Sequence, residues 1–298
     1  MSAMVGSSAV AVMLLASTLF TSLLAQNANT SIDQPNPLAQ TFPDLISGNL
    51  NGTTMIIPID ISLAQSLVPD FPILESSYSS LLPSFPKGMY PLMVSAKHDH
   101  DIQLAAYNTS LPDFTRAAFE FPFLDLSGDG ATPFRLQNTI LLTASNLAAI
   151  EGSRGYNIVV YPATFDPPND AYRSDGRGSG TYFSAHEVRN GSDPARYVTI
   201  KTQPKGAGYV SNPYPFDFIK NITNQVTFAT SSLCDKYQLL YNTSLTAPPF
   251  EPVPVVGTVE AMLEPFDAPQ IWTNVFGWQY AAAFLEPITP SICPSARS

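Results

Sequence analysis

Twenty-eight prolines among 298 residues constrain this chain more than any other feature. A proline in a helix interior removes a backbone donor and breaks the turn. With aromatic residues at 11%, the mix favours strands joined by rigid turns over long helices, so the expected fold class is mainly β. Hydrophobic residues make up 45% and charged residues only 13%. That is enough apolar surface to bury a full core, and it excludes a disordered polyelectrolyte. The net charge is −10, and the sparse, scattered Lys and Arg leave no positive stripe for phosphate backbones, so nucleic acid is not an expected partner. A small-molecule ligand is.

The first 25 residues carry no charge, and Ala9 to Ala25 form an apolar run too short for a comfortable membrane span. Residues 1–25 read as a signal peptide, although the basic start is missing and Leu23 stands where a small residue is preferred. Secretion is also the reading of six Asn-x-Ser/Thr glycosylation acceptors, at Asn29, Asn51, Asn108, Asn190, Asn221 and Asn242. Cys234 and Cys293 are an even pair in an oxidising compartment and are expected to form one disulfide. The end of the chain, PSICPSARS, has no hydrophobic tail, so no stable membrane anchor is expected.

Residues 26–53 are polar and read as a flexible N-terminal arm, and residues 54–298 show no linker and read as one domain. Within it apolar runs alternate with turn signals. MIIPID (55–60) is an expected strand ending at Asp60, which caps the short helix ISLAQSL. GMYPLMVSAKHDHDI (88–102), RAAFEFPFLDL (116–126), FRLQNTILLTAS (134–145) and GYNIVVYPATF (155–165) follow as strands, and SGDG (127–130) as a turn. GTYFSAHEV, RYVTIKT, VTFATS, VEAMLEPF and GWQYAAAFLEP continue the series. One further helix is expected at SLCDKYQLLYN, where Ser232 and Asp235 make a capping box and Leu233, Tyr237, Leu240 and Tyr241 share a face. Many strands with few helices point to a closed barrel or sandwich.

IPIDISLAQSLVPDFP (57–72), VSAKHDHDI, EFPF and LLTASNLAAIEGSRGYNIVVYPATF fall in an order that resembles the acetoacetate decarboxylase superfamily. The resemblance implies a closed, cone-like antiparallel β-barrel with a few short helices around a cavity for a small carboxylate or ketone. It also locates a departure. The family's signature strand runs Gly-Arg-Glu, four residues, then Pro and the lysine that forms a Schiff base. The Gly-to-Pro spacing is kept from Gly155 to Pro162, but Ala163 stands at the lysine, Thr164 at the second lysine and Asn157 at the glutamate. On the strand before Phe121-Pro122, Arg116 stands where the family has an active-site carboxylate. Enamine decarboxylation needs an unprotonated lysine, so any chemistry inside this barrel is expected to proceed without an imine.

The remaining candidates are polar residues on those strands. His98-Asp99-His100-Asp101 holds two of three histidines, and strand alternation puts His98 and His100 on one face. They suit acid–base work or, with a third ligand such as His186 or Asp166, a metal; the bland alternative is a solvated strand end. The catalytic set read from the sequence is His98, His100, Asp101 and Arg116, with Arg135, Tyr161, Asp166 and Arg173 as substrate-binding residues. No cofactor is assigned and no metal is committed. FDPPNDAYRSDGRGSG (165–180) reads as a lid carrying Arg173 or as a plain surface loop. Arg116 and Arg135 belong at a wet strand end or opposite an acid such as Glu120 or Glu151, and an inward Arg116 would favour an anion. Trp272, Trp278 and Tyr280 form a platform or fill core. Three functions stay open: a secreted lyase-type enzyme acting on a small organic acid or carbonyl compound without a Schiff base, an extracellular small-molecule binder, and a structural glycoprotein.

Overall fold

The first long strand already sets the architecture, because its side chains alternate between polar groups on one face and small or apolar ones on the other. In the computed structural model, which describes residues 30–189, 195–204 and 211–294, this strand is β1 (Ile46–Asp60). It is followed by α1 (Ile61–Leu67), α2 (Glu75–Leu81), β2 (Met89–Leu104), β3 (Thr109–Leu111), β4 (Phe114–Leu124), β5 (Phe134–Leu136) and β6 (Thr139–Thr143). Then come α3 (Leu147–Gly155), β7 (Val159–Asp166), β8 (Arg173–Ser174), β9 (Thr181–Glu187), β10 (Tyr197–Pro204) and α4 (Phe216–Thr223). The chain closes with β11 (Val226–Thr230), β12 (Leu233–Asp235), β13 (Gln238–Leu240), β14 (Val253–Met262), β15 (Gln270–Glu286) and β16 (Ser291–Ile292).

Nine of these strands pair into a closed ring, β1-β2-β4-β6-β7-β9-β10-β14-β15 and back to β1. Closure leaves the ring without a free edge. The pairs are antiparallel except β6–β7, which are parallel and are joined through α3, as a parallel connection requires. A second layer, β5 with β11, β12 and β16, lies against the ring through β4. A disulfide joins Cys234 to Cys293, so the end of the chain is tied to β12. The four helices are short, and no helix among the described residues is long and apolar enough to cross a membrane.

A contact between non-neighbouring strands identifies the inward face. Gln279 of β15 donates through Nε2 to Thr181 of β9 at 2.8 Å, and also reaches Thr53 of the adjacent β1 at 3.3 Å. Alternation then turns Asn49, Asn51, Thr53 and their partners Ala96, His98 and His100 inward. Gly52, Lys97, Asp99 and Arg116 point outward, beneath the second layer and α3.

Two sequence expectations are corrected. The region 26–53 is not all arm, since β1 starts at Ile46 and its polar Asn49 and Asn51 are buried inside the barrel. The segment 232–242 is not a helix. Its apolar spacing fits one, but Phe228 pairs with Cys234 and Ser291 pairs with it from the other side, so the segment is drawn into β12 and then β13.

Candidate functional site

At one end of the barrel lumen a strap, residues 30–38, crosses the inward face of β1 and β2. Gln34 accepts from Asn49 Nδ2 at 2.6 Å through its carbonyl, and the Asn36 N–H donates to Asp101 Oδ2 at 2.6 Å. Asp33 reaches the two histidines, 3.7 Å from His98 Nε2 and 3.5 Å from His100 Nε2, and accepts from Asn51 Nδ2 at 2.8 Å. The imidazoles stack with centroids 5.7 Å apart, and His98 Nδ1 lies 3.0 Å from Thr115 Oγ1. Burial opposes charge on all three groups. For Asp33 the two nearby imidazoles, His98 foremost, outweigh it and the pKa falls, while for His98 the nearby Asp33 carboxylate raises it. His100 is pushed down, because burial exceeds the pull of Asp33. Asp101 does not join the pair: it holds Asn36 and Gln103, at φ 46°. Ala163 faces the same lumen within the apolar core.

Arg116 lies on the other side of the barrel wall, where a cavity of about 150 Å³ opens between β2, β4, the second layer and α3. Its wall carries Lys97, Asp99, Arg116, Arg135, Asp235, Tyr237 and Glu286 amid Ile46, Ile102, Phe114, Ile140 and Phe284. Two glycines of β1 leave room for this floor. A Cβ on Gly52 would stand 3.0 Å from Lys97 Cγ, and one on Gly48 would stand 2.6 Å from the Phe284 ring.

Arg116 is fully committed to Asp99, with Nε–Oδ2 at 2.7 Å and Nη2–Oδ1 at 2.9 Å, and its guanidinium lies 5.5 Å from the Tyr237 ring centroid. Arg135 is buried opposite Glu120, as the sequence reading allowed, with 2.9 Å between Nε and Oε2. The contact is an ion pair without hydrogen-bond alignment. Arg135 also donates to the Ile222 carbonyl at 2.9 Å and to Thr227 Oγ1 at 2.7 Å. Glu120 accepts from Ser95 Oγ at 2.6 Å. Burial works against its charge, but Lys97 and Arg135 win and hold the carboxyl down at about 2.

Lys97 is the least satisfied of the cations. It is 2% exposed, its Nζ lies 3.7 Å from Glu120 Oε1, and it makes no hydrogen bond among the described residues. Burial, only partly offset by Glu120, brings its ammonium down to about 8, with Arg116 and Arg135 pushing the same way. Asp235 and Glu286 are shifted the other way. Burial raises both, against the pull of Arg116, and the Asp235 carboxylate makes ionisation of Glu286 harder still. The wall therefore holds a weakened cation and two carboxyls that retain protons above their usual range.

The remaining sequence candidates lie elsewhere. Arg173 is held by Asp166 through two 2.7 Å bonds and lies 4.5 Å over the Tyr182 ring, so its guanidinium is committed within its own loop. Tyr161 donates to Glu264 Oε1 at 2.8 Å beneath Arg196, and Glu151 pairs with Arg154 on the surface. His186 is exposed and stacks on Tyr197. Asp125 accepts from the Gly128 and Gly130 N–H groups, so SGDG is a capped turn. Trp272 packs on Phe119 and Phe266, and Trp278 on Phe216. Of the glycosylation acceptors, Asn108, Asn221 and Asn242 are exposed and Asn29 and Asn190 lie outside the described residues. Asn51 is corrected: it is 3% exposed inside the barrel with its amide on Asp33, which removes it as a surface acceptor.

Lys97, Asp235, Tyr237 and Glu286 were not singled out as site residues from sequence. Lys97 was within reach, since the alternation that pairs His98 with His100 puts Lys97 with Asp99 on the opposite face. Asp235 was hidden by the helical reading of its segment.

No family model and no curated protein matches the chain. Solved structures do. An acetoacetate decarboxylase-like enzyme from Sphingomonas wittichii RW1 is 12% identical over 85% of this chain and 94% of its own, at a TM-score of 0.42. The enduracididine biosynthesis enzyme MppR with HEPES buffer bound is 8% identical over 84% and 88%, at 0.48. MppR complexed with pyruvate is 9% identical over 88% and 92%, at 0.42. At such scores the closed ring stands on its own strand pairings.

Proposed function

We propose that this is a secreted barrel protein that takes a small organic acid or carbonyl compound into the cavity outside the barrel wall and acts on it by lyase-type chemistry without a Schiff base. One observation carries the reading: a partly open cavity gathers a buried lysine and two carboxyls, Asp235 and Glu286, beside the paired Arg116 and Arg135. Burying a charge costs several kcal/mol unless it is paired, and perturbed titrating groups gathered in a cleft mark functional sites. Lys97 lacks a hydrogen-bonded partner, and Asp235 and Glu286 are held toward the protonated form. The size suits a small guest, since a cavity near 150 Å³ takes benzene. With Arg116 and Arg135 already bonded to protein acceptors, Lys97 is the group left to meet a carboxylate or polarise a carbonyl, and Glu286 is placed to give a proton. The disulfide fits an oxidising compartment.

The test is titration calorimetry with small α- and β-keto acids, alongside product analysis. Binding that is lost in Lys97→Met, with product formed by the wild type, supports the enzyme. Saturable binding and a raised melting temperature without product would make it a carrier. The absence of any binding would leave the structural glycoprotein.

A further inference from the structure

Gly152 stands in the middle of α3, and nothing in the fold asks for a glycine there. A glycine inside a helix weakens it relative to alanine. The usual reasons to keep one are a left-handed backbone or a neighbour too close for a Cβ. At Gly257 the second reason holds, since a Cβ would stand 1.9 Å from the Lys201 carbonyl oxygen. At Gly152 the backbone is helical and a Cβ would meet nothing within 4 Å. What lies before it is the outer cavity. Ala148, Gly152 and Tyr156 follow one another at four-residue steps with Ala149 and Ser153 alongside, so one stripe of α3 borders the cavity and carries nothing larger than serine before Tyr156. The helix itself is held in place. Ile150 is buried with Ala118 and Leu142, Asn146 donates to the Pro112 carbonyl at 2.8 Å, and the Tyr156 hydroxyl donates to the Pro287 carbonyl at 3.2 Å. The width of the gap beside α3 is therefore set by the side chains on the stripe. Behind them lies Lys97, 2% exposed and without a hydrogen bond among the described residues.

We propose that this stripe of α3 is the portal of the outer cavity and that Gly152 determines the size of what passes. The inference deepens the proposed reading of the cavity as the ligand site, resting on it for the identity of the guest but not for the opening. Exposure falls along the route: Ala148 and Gly152 are exposed, Ala149, Ser153 and Tyr156 are half-buried, and Lys97 is buried. A side chain at 152 would project from the cavity-facing side of the helix into the gap, where a hydrogen leaves it open. The stability lost by a glycine in mid-helix is thus matched to access.

The experiment uses xenon, which enters cavities of this size with apolar walls and has no charge to be matched. A xenon-pressurised crystal of the wild type locates the gas, and xenon exchange NMR in solution reads its exchange rate and bound population. Gly152→Phe should slow exchange at least tenfold with the bound population kept. Gly152→Ala should slow it at least twofold while raising the melting temperature, and it carries the test if the larger variant fails to fold. Glu151→Phe, the same addition on the exposed neighbour off the stripe, should leave the rate unchanged. Exchange indifferent to residue 152, or no xenon in the wild-type cavity, overturns the inference. So does a reduced bound population at an unchanged rate, which would put residue 152 inside the cavity and not at its opening. Calorimetry with pyruvate on the same proteins separates the two claims. Xenon gated by residue 152 without pyruvate binding supports the portal and removes the acid-binding reading, while pyruvate binding with ungated xenon keeps that reading and removes the portal.

Discussion

Glu286 is one residue whose protonation should shape the pH response of the fold, together with its neighbour Asp235. Its carboxyl, ordinarily near 4.5, is pushed up to about 8 by burial and by Asp235, with Arg116 pulling down and Asp99 pushing up. The folded state therefore binds a proton that the unfolded state releases, so stability is highest below about 4.5 and falls as pH rises toward 8. Thermal melts from pH 4 to 9 should show this fall, and Glu286→Gln, which keeps shape without titrating, should reduce it most between pH 6 and 8, above the range of Asp235; an unchanged slope would remove Glu286 as a source. Glu120 makes the contrasting case. Removing its charge by Glu120→Gln leaves Lys97 and Arg135 buried without a counter-charge and should cost about 3–5 kcal/mol in denaturant unfolding. The sequence made the arginines legible as residues opposite an acid, because a buried cation needs one. It could not say which acid, since Asp99, 17 positions from Arg116, becomes its partner only through the β2–β4 register.

Elements on the rim of the cavity were read unevenly, and for a physical reason. Strands such as β2 and β15 announce themselves by alternation, whereas β12 and β13 are three residues each and exist because neighbours and a disulfide hold them. A local pattern cannot report a partner 59 residues away. Cutting that bridge in Cys234→Ser/Cys293→Ser should cost about 4 kcal/mol by loop entropy, and it should weaken ligand binding as well, because Asp235 adjoins Cys234 on the cavity wall. A drop in stability with unchanged affinity would show that the wall does not depend on the bridge. On the opposite rim, Asn146 caps α3 by accepting from the Ala149 N–H at 2.9 Å and ties it to the Pro112 carbonyl at 2.8 Å. Asn146→Ala should cost about 1 kcal/mol.

Closure of the ring and docking of the strap are separable at the scale of the whole molecule. The backbone ladder between β1 and β15 runs from Ile46 to Ile56 with no rung supplied by residues 30–38, so the ring closes through its own strand pairings. What holds the strap is the lumen end, and its pH dependence has two limbs. Docking raises the His98 pKa, so this contact is fully present below about 6.5 and is lost as pH rises through the raised value. Burial lowers the His100 pKa against the pull of Asp33, so protonating His100 destabilises the pocket on which the strap packs as pH falls through that lower value. Asp33 lies against both rings, Asp99 and Asp113 act on them through space, and Thr115 bonds His98. Strap attachment should therefore peak between the two imidazole pKa values. Limited proteolysis within residues 30–38 should be slowest there and faster on either side, while the barrel stays intact by circular dichroism. His98→Gln should abolish the alkaline limb and spare the acidic one. Cleavage that is indifferent to pH, or an alkaline limb that survives in His98→Gln, would mean that the Asn36–Asp101 and Asn49–Gln34 bonds hold the strap without help from charge.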